Sequence, residues 1–283
     1  EPVMNTSRKN GVNVSIKQAG SGQPVVLLHS SASSGKQWKQ AFKNWADTYH
    51  LVAPDLYGAG GTDNWTGPGA LTLAGNVALV TAVVRKLGRP VHLVGHSYGG
   101  ALALQMALLH PQLLLSMSVL EPVAFNILRD GSDAERGLFD QVSRLARDIT
   151  QDVSWGIPEQ AMQRFVDYWN GEGTWAGLHQ DQRLKLALKA GKLPGDFNAT
   201  LGETTPISAY AGIKVPTLVL CGTNSPKPAR QITRMLAEAI PDARHRTIAN
   251  AGHMLPVTHP AKVHAAIGDH MKKAQAPLLA RAA

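Results

Sequence analysis

Val91-His92-Leu93-Val94-Gly95-His96-Ser97-Tyr98-Gly99-Gly100, VHLVGHSYGG, sets one serine midway between two glycines, directly behind an apolar run. Val91 to Val94 read as a buried strand, and the small-residue stretch Gly100-Ala101-Leu102-Ala103-Leu104 reads as the helix that follows. A nucleophilic serine must be lifted from the backbone, open to substrate on one side and to a base on the other. A sharp strand-to-helix turn does this, but it forces left-handed backbone on the serine and crowds the residues two before and two after it. Glycine relieves that crowding, and Gly95 and Gly99 stand at those two positions. Ser97 is therefore a candidate nucleophile, against the plainer reading of a small residue in a tight turn.

On either side of this stretch, apolar β-branched runs alternate with longer helix-like segments, an order that favours a parallel sheet covered by helices. The expected strands are Val12 to Lys17, Val25 to His29, His50 to Ala53, Val91 to Gly95, Leu114 to Leu120, Thr217 to Gly222 and Arg244 to Ile248. Helices are expected over Gln37 to Ala46, Leu71 to Leu87, Gly99 to Leu109, Ala229 to Ala239 and Ala261 to Lys273. The alternation breaks between about Phe125 and Tyr210, where helical, charged and aromatic-rich segments suggest an insertion. Asp133 to Asp148, Pro158 to Asn170 and Gln180 to Lys192 read as its helices, with Leu193-Pro194-Gly195 as a turn. Trp155, Phe165, Tyr168, Trp169 and Trp175 all fall inside it, either as the insertion's own small core or as an apolar lid over a pocket.

Composition narrows the class. With 44% hydrophobic and 17% charged residues, 283 residues can bury a large core, which excludes a disordered or collagen-like chain. No apolar run reaches the roughly 18 residues a membrane helix needs, and EPVMNTSRKNG carries no signal-like apolar segment. One cysteine, Cys221, allows no internal disulfide. These features fit a soluble cytoplasmic protein; a mature exported form that had lost its leader would look the same. Met4 would be the native start if Glu1 to Val3 are a scar. The net charge of +8 comes from scattered basic residues without a run, which argues against a nucleic-acid partner. The oligomeric state is not legible.

With the elbow, four further stretches resemble the α/β-hydrolase family: PVVLLHSSASSGKQW (Pro24 to Trp38), LVAPDLYGAGGTD (Leu51 to Asp63), PTLVLCG (Pro216 to Gly222) and IANAGHMLPVTHP (Ile248 to Pro260). The resemblance runs from about Gly11 to about Met271. It implies a mostly parallel eight-stranded sheet flanked by helices, a nucleophile after strand five and a catalytic histidine after the last strand. It divides the chain into a core of residues 1–124 and 211–283 and a helical cap of residues 125–210. The first strands look abbreviated, so one is expected to be missing or poorly patterned.

Serine needs a base that takes its proton and returns it to the leaving group, work suited to histidine. Of eleven histidines, His253 matches the family's histidine loop and follows Ser97 in the family's order; the bland alternative is a buried structural histidine. His29 and His96 read as structural, and His259 as opening the last helix. The family's usual acid follows the strand that matches Thr217 to Gly222, but here that loop is Thr223-Asn224-Ser225-Pro226-Lys227, without a carboxylate. A family variation moves the acid one strand earlier, where Leu114 to Leu120 runs into Glu121. Glu121 is the candidate acid; the alternatives are a Ser-His pair aided by Asn224 or Ser225, or an acid from the cap.

Acyl transfer also needs two donors for the developing oxyanion. By the resemblance these are the amides of Tyr98 and Ser31, with Ser30 replacing the family's glycine and so depriving the loop of backbone freedom; the serine-rich loop could also be an ordinary flexible one. Asp55 and Asp63 read as structural. Expected substrate contacts are Ser30, Met254 and the five cap aromatics. Together these point to a cofactor-free, metal-free serine hydrolase that cleaves a small apolar carboxylic ester, thioester or lactone. Carbon–carbon bond hydrolysis or perhydrolysis on the same residues, or a slow receptor-like ligand binder, are the alternatives.

Overall fold

The structure is a computed structural model that describes residues 3–9 and 11–282. Among these residues, eight strands make one sheet: β1 (Val3–Lys9), β2 (Val12–Ala19), β3 (Gln23–Leu28), β4 (Tyr49–Pro54), β5 (Val91–His96), β6 (Leu114–Leu120), β7 (Thr217–Gly222) and β8 (Ala243–Ile248). Their order is β1-β2-β4-β3-β5-β6-β7-β8. β2 pairs antiparallel with β1 and β4, and every pairing from β4 across to β8 is parallel. No early strand is missing. The strand the sequence pattern hides is β1, whose VMNTSRK lacks apolar alternation because it pairs only at the sheet's edge.

The helices are α1 (Lys39–Trp45), α2 (Leu73–Lys86), α3 (Tyr98–Leu109), α4 (Asn126–Arg129), α5 (Asp133–Ser154), α6 (Pro158–Asn170), α7 (Gln180–Ala187), α8 (Leu193–Leu201), α9 (Lys227–Ala239), α10 (Leu255–Thr258) and α11 (Pro260–Ala282). Parallel strands joined through helices are buried on both faces, so their side chains alternate between two apolar layers. Val26, Leu28, Leu93, Met117, Val119 and Val219 belong to the layer that contains residues of α2, α3 and α9. Val25, Leu27, Val94, Leu120, Leu218 and Leu220 belong to the layer of α1 and α11. This double burial is why the central strands read as nearly unbroken apolar runs. No helix among the described residues is long and apolar enough to cross a membrane.

Between β6 and β7 the chain inserts α4 to α8. Val142, Ile149, Met162, Trp169 and Phe197 share one buried cluster with Leu102 and Met106 of α3, so the insertion has no separate core. Leu193-Pro194-Gly195 is not a turn but the first turn of α8, where a proline costs no helix hydrogen bond.

The parallel strands all end on the same edge of the sheet, and the segments just beyond those ends carry Ser97, Glu121, Ser225 and His253. This edge is where such sheets place ligands. The β5–α3 turn is made possible by close backbone approach. A methyl carbon on Gly95 would lie 2.2 Å from the Gly99 carbonyl oxygen, and one on Gly99 would lie 2.5 Å from that of Leu28. Both contacts are to backbone, which cannot swing aside. Gly99→Ala is therefore expected to lower stability by at least about 2 kcal/mol in a urea melt, as overpacking does. A loss under about 0.5 kcal/mol, the scale of an ordinary surface change, would contradict the packing described.

Candidate active site

Ser97 sits between β5 and α3 with φ 54° and ψ −115°, outside the region where most residues rest. Its amide donates to the Leu120 carbonyl at 2.9 Å and its carbonyl accepts from Ala101 at 3.1 Å, so the turn is tied to β6 and to its own helix. Among the described residues, three other non-glycine residues have positive φ: Ala32 at 53°, Glu121 at 44° and Asn250 at 64°. Each lies in a segment leaving a strand at this edge, which is where strain is commonly held by surrounding structure at functional sites.

The carboxylate, the imidazole and the hydroxyl form one hydrogen-bonded chain. Glu121 is fully buried, and its Oε2 lies 2.7 Å from His253 Nδ1. His253 Nε2 lies 2.9 Å from Ser97 Oγ. Burial on its own would push the Glu121 carboxyl up, but it is outweighed by the hydrogen bond and charge of His253, the Ser225 hydroxyl and the Gly222 amide, which hold it below its ordinary value. An ionised carboxylate only accepts hydrogen bonds, so Nδ1 carries the proton and Nε2 is left bare to accept from Ser97. On its other oxygen, Glu121 Oε1 accepts from the Gly222 amide at 2.7 Å and from the Ser225 hydroxyl. Ser225 thus serves the carboxylate rather than replacing it.

A second chain fixes the loops around the first. The His253 carbonyl can only accept, so His96 donates from Nε2, at 2.8 Å. Its Nδ1 then accepts from Gln37 Nε2 at 3.1 Å. Gln37 Oε1 in turn accepts from the Ser30 amide at 3.1 Å and the Ser30 hydroxyl at 2.8 Å. Ser30 therefore has both its donors committed away from the cavity. Its φ is not positive, so a glycine's freedom is not needed there; the left-handed position in this loop is Ala32. The amides of Ser31 and Tyr98 make no hydrogen bond among the described residues, and both residues line the cavity at Ser97.

That cavity measures about 20 Å³, room for about one water. Its apolar lining is Val123, Phe125, Phe165, Trp169, Leu193 and Phe197; its polar lining is Ser31, Ser97, Tyr98, Asp196 and Thr200. Trp169 also stacks on the His253 ring, with centroids 4.1 Å apart and planes 28° from parallel. Of the expected substrate contacts, then, Phe165 and Trp169 reach the cavity. Trp155 caps α5 and is 66% exposed, because the amphipathic α5 ends just before it. Tyr168 borders a different groove, together with Gln141, Asn224 and Trp169 itself. Trp175 is buried elsewhere, its amide held by Asp167 at 2.7 Å, and Met254 is half-buried outside the lining. Phe197 and Asp196 escape the sequence reading because Leu193-Pro194-Gly195 disguises the start of α8 as a turn, and Phe125 because it lies at the insertion's boundary.

Several other buried polar groups brace the scaffold. His29 Nε2 accepts from the Leu56 amide at 3.0 Å while its Nδ1 donates to the Ser30 carbonyl. Asp55 accepts from the Gly35 and Gly61 amides, and Asp63 from the Asn13 amide. Burial holds His96 neutral down to about 3, and His29, His92 and His264 down to about 4. The unfolded chain would protonate these rings from about pH 6.5, so it binds more protons than the folded one below that pH and stability falls. The depressed Glu121 carboxyl adds to the loss further into acid. The melting temperature is expected to drop steadily from pH 6.5 toward pH 4; a flat profile over that range would contradict the neutral buried rings.

A model described as "Alpha/beta hydrolase family" matches residues 25–266 of the chain. Over 257 residues the chain is 26% identical to an (E)-2-((N-methylformamido)methylene)succinate hydrolase from Acinetobacter baylyi, covering 88% of this chain and 90% of that protein. It is 23% identical over 288 residues to a 2-hydroxymuconate semialdehyde hydrolase from Pseudomonas sp. strain CF600, covering 94% and 93%. A solved thermophilic esterase from Thermogutta terrifontis superimposes with a TM-score of 0.75 at 22% identity, covering 97% of this chain and 99% of that one. At that identity the solved structure speaks to the fold alone.

Proposed function

Because the chain belongs to the alpha/beta hydrolase family, whose enzymes are hydrolases, we propose that it is a serine hydrolase that cleaves a carboxylic ester, thioester or lactone through an acyl-enzyme. Ser97 Oγ attacks the carbonyl carbon while His253 Nε2 takes its proton. Glu121 keeps the imidazole in the required tautomer and stabilises its charged form, and the stacked Trp169 face favours that cation as well. The amides of Ser31 and Tyr98 hold the oxyanion. As the intermediate collapses, the imidazolium gives its proton to the departing alcohol or thiol. Water, deprotonated by the same His253, then releases the acid and restores Ser97.

One observation carries this proposal: the unbroken Glu121–His253–Ser97 hydrogen-bond chain, 2.7 and 2.9 Å long, beside two unused amides. The insertion is proposed to act as a lid, since Phe125, Phe165, Trp169 and Phe197 close a cavity of about 20 Å³ that no ester fits without their moving. Turnover of a panel of short- and long-chain aryl esters, thioesters, lactones and β-diketones tests the reaction class. Ester, thioester or lactone hydrolysis well above background is the expected result; turnover of β-diketones alone would move the assignment to carbon–carbon bond hydrolysis, and no turnover with Ser97 unreactive would move it to a ligand binder.

A further inference from the structure

The cavity at Ser97 contains a polar feature that an apolar substrate would leave unused. Asp196, in the first turn of α8, lines it at 4% exposure. Its Oδ1 is ion-paired with Lys192 one helical turn earlier, but its Oδ2 is buried without any hydrogen-bond partner among the described residues. Lys192 and the start of α8 account for the negative charge. They do not account for the unpartnered oxygen, since leaving a buried acceptor without a donor is destabilising, more so when it is charged. Aspartate in this cavity therefore makes sense if a partner arrives with the substrate.

We propose that Asp196 Oδ2 accepts a hydrogen bond from a hydroxyl of the substrate, making Asp196 a specificity-determining residue and the substrate a hydroxylated acyl compound. This rests on the serine hydrolase assignment above. A neutral donor fits better than a cation because Lys192 already balances the aspartate's charge. The surroundings are fixed in advance: Lys192 Nζ lies 5.3 Å from the centroid of the Tyr98 ring, and the Tyr98 hydroxyl accepts from Asn76 at 3.0 Å. Tyr98 is also the residue whose amide faces the reaction, so in the closed cavity the aspartate is linked through Lys192 to the residue that supplies an oxyanion donor. Because Ser97 and Asp196 line the same cavity of about 20 Å³, the hydroxyl belongs within a few bonds of the carbonyl, with the remaining apolar part against the aromatic lining.

The test compares 4-nitrophenyl esters of butyrate, 2-hydroxybutyrate and 3-hydroxybutyrate, after correcting each for its spontaneous hydrolysis. For the intact protein, at least one hydroxy ester is expected to exceed butyrate in kcat/KM by about 10-fold or more, the scale of a hydrogen bond to a charged group. In Lys192→Met/Asp196→Leu, which removes the buried pair together, that ratio should collapse toward one. In Asp196→Asn, which keeps the shape but loses the charge-assisted acceptor, it should fall several-fold, so the proposal stays testable if the double variant does not fold. Labelling of Ser97 by an organophosphonate in each protein reads the catalytic machinery separately. If Ser97 labels and hydroxy and plain esters are turned over alike, or the preference survives both substitutions, the proposal is overturned and Oδ2 is an acceptor for water only. If Ser97 does not label in the intact protein, it is the hydrolase assignment that fails.

Discussion

Replacing Ser97 by alanine is expected to lower kcat/KM on the best ester by ~10⁴ to 10⁶, the range seen when one member of a cooperating hydroxyl–imidazole–carboxylate set is removed. The hydroxyl lies 2.9 Å from His253 Nε2, so its loss removes both the nucleophile and the proton that the imidazole is poised to take. Residual rate would come from the amides of Ser31 and Tyr98 acting on bound substrate. The change deletes a single oxygen, and the alanine inherits the backbone at φ 54° with no larger a side chain to strain it. Stability should therefore be little altered, and a rate within about 100-fold of the intact protein would remove Ser97 from the mechanism.

Glu121→Gln is expected to cost ~10³ to 10⁴ in kcat with the fold retained, on the pattern of a carboxylate-to-amide change in such a site. The surroundings of Glu121 dictate how the amide must lie. Oε1 receives the Gly222 amide and the Ser225 hydroxyl, so the glutamine oxygen has to take that side to avoid facing N–H with N–H. The NH₂ then faces His253 Nδ1, which must accept instead of donate. The imidazole proton moves to Nε2, where it blocks transfer from Ser97. Near-normal turnover in this variant, measured on the same ester, would show that Glu121 is not the acid.

How much of this could be read from the chain differs from residue to residue. The elbow was legible because its demands are local: a strand, a strained serine and two glycines, both of which meet backbone atoms in the structure. Glu121 was legible only through the family resemblance, whose usual acid position after Gly222 holds no carboxylate here and whose variation places the acid at the end of β6. Neither pattern reveals that Ser225, in the loop lacking the usual acid, holds the glutamate in place. The insertion was visible as a break in alternation, but its aromatics were not sorted, because density says nothing of helical phase. Phe165 and Trp169, four apart on α6, reach the cavity, while Tyr168 lines a neighbouring groove and Trp155 stands at the exposed end of α5. The Pro-Gly in α8 concealed the helix that brings Asp196 and Phe197 to the cavity. β1 was hidden because an edge strand needs no apolar pattern.

The proposed mechanism turns on Ser97 being an activated nucleophile. Mass spectrometry of the intact protein after treatment with an organophosphonate probe, followed by peptide mapping, tests it most directly. One adduct per chain on the peptide carrying Ser97, absent from Ser97→Ala and strongly slowed in His253→Ala, is the predicted result. A folded protein that stays unlabelled, or that labels equally well without Ser97, would contradict it.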